Sequence, residues 1–586
     1  MKNLKSLIHV ATGKEQADLI VHGAHVLNVF TKEFEKVDLA LCGEYIAAVG
    51  KRGTYSGKIE IDCTGKYIVP GFIDSHVHIE SSMLLPSEFM RTVLPCGTTT
   101  VIADSHEIAN VVGADGIRFM MNESKNAQGN VFFMIPSCVP ATDFEHTGGK
   151  IDTKDISKLL DSPEVLGLGE MMNYPGVLSA QYDVLEKIYC VQPGIIDGHA
   201  PLVTEKNLQA YRSTGIKTDH ECRTFAEALE KIKCGMWILL REGSSARDLE
   251  HIIPELVNST LTSDRFAFCT DDKNAMDILK EGHIDHCIRT AIKLGIPVEE
   301  AYCMASLHAA QCYELRDIGA LCAGYKADFV ILDNPENVSV RDVYCKGKAV
   351  STFAKIDNNQ KEQTTANFMS ENSKILKKVL NSVHIKKIHD DMFAFRNTDS
   401  SVASGNRHVI KISEGTLNTE ALILSASDAE KRFHAGDLCK VVVVERHKKT
   451  GHSALCFLSG YGLNKGAIAC SIAHDSHNII CIGANTHDMK KAVEHIKHMQ
   501  GGICIVHKGH VKAHLNLAVA GLMSTDTAEN VAFALQKMQE EVSKLGVYDN
   551  IEPFVTMSFL ALPVIPELRI TDQGLFNVDK QKFEES

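Results

Sequence analysis

Two histidines one residue apart, His76 and His78, stand in the stretch DSHVHIESS, directly after the apolar run YIVPGFI. On an extended chain, successive side chains alternate faces, so both imidazoles point one way while Val77 points the other. Two rings so placed at a strand end can bind one metal ion. In a chain with 27 histidines, a lone H-x-H is a weak signal. It gains weight from other polar residues that end apolar runs: Asp104, Ser105, His106 and Glu107 in ADSHE, Glu170 in LGLGEMM and His199 in IIDGHAP. His220 and Glu221 follow in KTDHE, Arg241 and Glu242 in LLREGS, and Asp271 and Asp272 in FCTDD. Imidazole and carboxylate together suit divalent first-row metals. If these residues converge, a bridging Glu170 can hold two ions roughly 3.5–4 Å apart, the spacing of two-metal hydrolytic sites.

Convergence requires a scaffold that gathers strand ends. The runs YIVPGFIDSHVH, TTTVIADSHE, VFFMIPSC, VLGLGEMM, IIDGHAP, IKTDHE, MWILLREGS and FAFCTDD alternate with helical stretches, the rhythm of parallel βα units. Eight units over roughly 250 residues predict a TIM (β/α)8 barrel, whose active sites lie at the C-terminal strand ends. A doubly wound sheet would carry a glycine-rich turn after its first strand, and DSHVHIESS has no glycine. The fold class expected is α/β: the barrel over 70–319, a small antiparallel, sandwich-like β domain from 1–69 with 320–355, and a C-terminal α/β or α+β domain over 375–586. The polar, lysine-rich KIDNNQKEQTTANFMSENSK between the last two reads as a linker or an exposed helix.

Composition narrows the chemistry. A chain of 586 residues exceeds the roughly 250–300 that one core supports. A net charge of −13 without a Lys/Arg block gives no electrostatic footprint for nucleic acid, so a small molecule is the expected partner. The 18 cysteines never stand in C-x-x-C spacing, which disfavours a structural zinc cluster and fits reduced thiols in a cytoplasm. No apolar run approaches the roughly 20 residues that span a bilayer, and the N-terminus lacks a signal h-region. A cytoplasmic protein without membrane contact is expected.

PGFIDSHVHIESS with its strand-end His, His and Asp resembles the amidohydrolase superfamily. Within it, the chain is similar to the bacterial adenine deaminases through TVIADSHEIANVVG, LGEMMNYPGV, DGHAP, DHE, CTDDKNAMDILKEGHIDH, SIAHDSHNIICIGAN and SFLALPVIPELRITDQGL, stretches spread from about residue 15 to 576. The resemblance implies hydrolytic deamination of adenine to hypoxanthine, with two divalent ions, Mn2+ or Fe2+. It assigns His76, His78 and Asp271 to one ion, His199 and His220 to the other, and Glu170 to the bridge. No lysine stands in VLGLGEMMNY, so a carboxylated lysine cannot take that place.

Asp271 is then expected to carry a proton from water to the departing amine. Negative charge building on N1 needs a donor, for which His106 and Glu221 are the candidates; Glu221 would have to be kept protonated by burial, or else is a plain salt-bridge partner. His106 and Glu107 are alternatively partners that orient metal ligands. Arg241, Glu242 and Ser105 are the expected substrate contacts, although Arg241 can instead pair with Glu242. His283 and His286 read as a helix face rather than ligands. His474 and His477 read either as a hydrogen-bonded turn or as a loop that closes over the barrel mouth. By analogy with metal-dependent barrels, a homodimer or higher homo-oligomer is expected.

Overall fold

The seven residues TTTVIAD at Thr98–Asp104 are buried along their whole length, as a strand with neighbours on both sides and helices outside must be. The same holds for the other central strands of the computed structural model, which describes residues 3–350, 373–395, 405–412 and 417–584. The expected linker, 355–374, lies almost wholly outside them.

Eight parallel strands form the centre: β1 (Phe72–Val77), β2 (Thr98–Asp104), β3 (Asn130–Ile135), β4 (Val165–Met171), β5 (Ile195–Gly198), β6 (Thr218–Asp219), β7 (Trp237–Arg241) and β8 (Phe266–Cys269). β1 to β5 form one ladder and β6 to β8 another. Two seams join them. Lys217 N donates to Ile196 O at 3.1 Å between β5 and β6. At the other seam Val77 bridges Asp271 in parallel sense, with His78 N donating to Asp271 O and Asp271 N to His76 O, each at 2.9 Å. This closes the TIM barrel and sets the first two histidines beside the last aspartate by backbone bonding alone. Ile73, Ile102, Met134, Ile195, Trp237, Leu239 and Ala267 share one apolar cluster, each N-terminal in its strand to the polar end, so the interior is packed rather than a pore.

The flanking β domain is a nine-stranded sheet drawn from residues 17–70 and 329–349. It departs from the antiparallel expectation in two places, where Ala17–His22 runs parallel to Gly57–Asp62 and His25–Asn28 parallel to Tyr67–Pro70. In both places the paired segments are separated by the hairpin Glu33–Cys42 with Tyr45–Lys51 rather than joined by a tight turn, a connection long enough for the chain to return in the same sense.

The third domain is α+β. Its main sheet has β9 (Asn406–Ile412), β10 (Thr419–Ser425), β11 (Leu438–Val444), β12 (Ser453–Ser459), β13 (Ala467–Cys470), β14 (Ile479–Gly483), β15 (Gly502–His507) and β16 (His510–Asn516), in the order β10-β9-β12-β11-β14-β13-β15-β16, and a second, three-stranded sheet follows at 568–584. Helices Thr486–Met499 and Ala528–Lys544 pack on it. One apolar cluster runs from the barrel side (Leu84, Phe89) into this domain (Ile468, Leu535). Ser524 N donates to Met83 O at 2.8 Å and Arg91 pairs with Glu529 at 2.6 Å across the junction. No described helix is long and apolar enough to cross a membrane.

Candidate metal centre and active site

The strand ends bring their polar side chains to one place, and Glu170 is its hub. Its Oε1 lies 3.4 Å from His78 Nε2 and 3.3 Å from His106 Nδ1. Its Oε2 lies 2.7 Å from His199 Nδ1 and 3.2 Å from His220 Nε2. On the far side, Asp271 Oδ1 stands 3.0 Å from His78 Nε2 and 3.6 Å from His76 Nε2. The two ring nitrogens of His76 and His78 face each other at 3.2 Å, and the rings of His76 and His220 stack at 4.2 Å.

This donor set fits divalent metal ions. Three overlapping groups of three ligand atoms each lie within 4.8 Å of one another: His76 with His78 and Asp271, His76 with Glu170 and His220, and His78 with His106 and Glu170. His106 Nδ1 is buried without a hydrogen-bond partner and faces Glu170. Burial alone would raise the carboxyls of Asp271 and Glu170. Hydrogen bonds from His76 and His78, with the Arg241 charge, instead hold Asp271 well below the usual range, and His199 and His220 do the same for Glu170. Both are therefore carboxylates, the form that ligates.

The backbone around the cluster is fixed by two more buried acids. Asp104 passes so close to Gly169 that any Cβ there would clash with its carboxylate. It accepts His106 N through Oδ1 and Glu170 N through Oδ2, both at 3.1 Å, while its carbonyl meets His78 Nδ1 at 2.9 Å. Fixing the second ring nitrogen in this way sets which nitrogen faces a metal. Asp74 accepts His76 N at 3.3 Å and Thr270 N at 3.1 Å.

Two family models match: the amidohydrolase family over residues 67–350 and the adenine deaminase C-terminal domain over 416–582. The adenine deaminase of Clostridium acetobutylicum is 44% identical over 586 residues, covering 99% of both chains. The chain belongs to the adenine deaminase family. The adenine deaminase of Desulfitobacterium hafniense is 41% identical over 584 residues, again covering 99% of both. Adenine deaminase 2 of Carboxydothermus hydrogenoformans is 39% identical over 581 residues, covering 99% of this chain and 98% of its own.

Glu221 was read either as an acid kept protonated by burial or as a salt-bridge partner, and the structure pairs it with Arg241. Burial does raise its carboxyl, but the Arg241 guanidinium, hydrogen-bonded to it, and then His199 and His220 outweigh that and lower it. Arg241 was to face the purine or pair with Glu242. Its guanidinium is instead occupied by Glu221, by Asp271 Oδ2 at 3.0 Å and by Asp248 at 3.0 Å, so it positions Asp271. Glu242 turns away from the cluster toward Arg247 at 3.5 Å and His286 at 3.6 Å. Ser105 begins the helix His106–Val112 as its N-cap, with its hydroxyl buried and without a partner.

His283 bonds Thr98 Oγ1 at 3.0 Å and lies 3.2 Å from Asp74 Oδ2, a buried brace beneath β1. His474 and His477 both reach Glu107, which puts them at the barrel mouth.

Sequence reasoning missed Lys231. On the helix Phe225–Lys233 it reads as one more surface lysine, yet it is fully buried. Its ammonium donates to Ala200 O at 2.7 Å, Asp219 Oδ2 at 2.9 Å and Glu227 Oε1 at 2.7 Å. Asp219 Oδ1 in turn accepts Ala200 N at 2.8 Å. One charge thus ties the residue after His199 to the residue before His220. Removing a partner from a buried ion network costs about 3–5 kcal/mol. Lys231→Met will therefore melt several degrees lower in calorimetry and, after dialysis, will retain less metal by elemental analysis than the wild type. Unchanged metal retention would show that the network has no part in holding the two histidines.

Proposed function

We propose that Glu170 bridges two divalent ions, manganese or iron, held by His76, His78 and Asp271 on one side and by His199 and His220 on the other. The activity run there is the hydrolytic deamination of adenine to hypoxanthine and ammonia, a reaction of purine salvage. What carries this reading is the gathering of four imidazoles about Glu170, with Asp271 and a fifth imidazole, His76, beside them, in a chain related end to end to adenine deaminases. When bound, such ions acidify water so that a nucleophile is present at neutral pH.

The protein's own residues handle the protons. Water oxygen adds to C6, one water proton goes to N1, and the other leaves with the amine as the C6–N6 bond breaks. Asp271, ionised and aimed into the cluster, takes the second proton and returns it to the departing nitrogen. His106 is the better candidate for the N1 donor. Burial would lower its pKa, but Glu107, Asp104 and Glu170 raise it above the usual imidazole value. Glu221 is paired with Arg241 and accepts its hydrogen bond, which lowers its carboxyl and makes it the weaker candidate. All 18 cysteines are free, which supports a reducing, cytoplasmic setting.

Adenine and a dihydropyrimidine offered to the chelator-stripped and manganese-restored protein test the reaction. Ammonia and hypoxanthine from adenine alone, lost on stripping and regained on restoration, is the expected result. Ring opening of the dihydropyrimidine with adenine untouched would replace the deaminase reading with that of a cyclic amide hydrolase.

A further inference from the structure

The short turn that follows the paired histidines, Ile79–Ser82, carries an acid with no part in the proton transfers. Glu80 is 2% exposed. Its Oε1 accepts Ile108 N at 3.3 Å, which ties the turn to the helix that begins at His106. Its Oε2 is buried and has no hydrogen-bond partner in the protein. A carboxylate oxygen left unpaired in the interior is destabilising and calls for a partner.

Glu80 also lines a cavity between the barrel mouth and the third domain. Its volume is about 790 Å³ with the open mouth included, within the roughly 300–1,000 Å³ of small-molecule sites. Glu80, Ser81, Glu107 and Asp272 face it from the barrel, and Ile503 and Phe559 face it from the third domain. The barrel wall is joined to the metal cluster along the chain: Glu80 lies two residues past His78, Glu107 follows His106, and Asp272 follows Asp271. Ser81 Oγ donates to Asp272 Oδ1, so the turn of Glu80 is bonded to the loop of Asp271. A base seated here with C6 toward the cluster has Glu80 in its wall.

The chemistry of the base decides which atom a carboxylate can hold. With the amine served by Asp271 and N1 by His106, the other bare ring nitrogens can only accept. The donor left over is the N–H of the five-membered ring.

We propose that Glu80 is a substrate-binding residue whose Oε2 accepts the five-membered-ring N–H of adenine, seated in the cavity between the barrel and the third domain. This inference rests on adenine being the substrate. It gives the unpaired oxygen a partner only when the base is bound.

The test uses the full-length, manganese-loaded protein, with Glu80→Gln and Glu80→Ala beside the wild type. Glutamine keeps the shape and can still accept Ile108 N, but it sets an N–H2 where Oε2 stood. Charge-assisted hydrogen bonds are the stronger kind, so kcat/KM for adenine should fall 10-fold or more in both variants. In the glutamine variant the metal content should equal the wild type, and the melting temperature should be no lower, because an unpaired buried charge has been removed. Hypoxanthine, which keeps the same ring N–H, should raise the melting temperature of that variant less than that of the wild type. Values of kcat/KM within threefold of the wild type would overturn the proposal. A fall in the glutamine variant matched by lost metal or by a lower melting temperature would also overturn it, because Glu80 would then serve the cluster or the fold. A wild-type protein that leaves adenine untouched is a separate outcome. It would remove the deaminase reading and this inference with it.

Discussion

Glu170→Gln will lose most of its bound metal and with it nearly all turnover. Glu170 is 3% exposed, and its two oxygens serve four imidazoles from four different strand ends, at 2.7 to 3.4 Å. Glutamine keeps the shape but replaces one acceptor oxygen with an N–H2 aimed at rings whose nitrogens must face a cation. Uncompensated removal of one charge from such a buried set costs about 3–5 kcal/mol. That is roughly a 10²–10⁴-fold loss of metal affinity. Elemental analysis after gel filtration should find far less than the wild-type metal content. Full metal content in the variant would mean that the ions are held without the bridge.

Asp271→Asn should separate chemistry from architecture. The residue sits just past β8 with φ +56, in the left-handed region that asparagine tolerates as well as aspartate does. The substitution therefore adds no backbone strain, and the Val77–Asp271 bridge can persist. What it removes is the group placed to carry a proton between water and amine, together with the charge that pairs with Arg241 and serves one ion. General acid–base groups contribute about 10²–10⁴-fold, so at saturating manganese kcat should fall by at least that range, with a melting temperature below the wild type. A loss of less than about tenfold would assign proton transfer to another residue.

Much of this was legible in the sequence because a TIM barrel puts chemistry at strand ends, and strand ends can be read from linear order. His76, His78, Glu170, His199, His220 and Asp271 were found in that way, and the seam between β1 and β8 that unites His76, His78 and Asp271 follows from barrel closure. What escaped was pairing among charged residues. Nothing in LLREGS tells whether Arg241 faces solvent, a purine or three carboxylates, and only the structure shows it taken up by Glu221, Asp248 and Asp271. The burial of Lys231 has no local signature either: the Glu227 pair on its own helix looks like a surface one, and its other acceptors, Ala200 O and Asp219, come from distant strand ends. The parallel pairs of the flanking sheet were missed because hairpin texture reports turns, not which edge the chain returns to.

The central claim is that a carboxylate-bridged pair of ions serves adenine deamination. The most direct measurement adds manganese in steps to metal-free protein and follows ammonia release from adenine together with the metal bound. Activity that climbs until two equivalents are bound is the predicted result. Full activity at one equivalent, or in the metal-free protein, would contradict it.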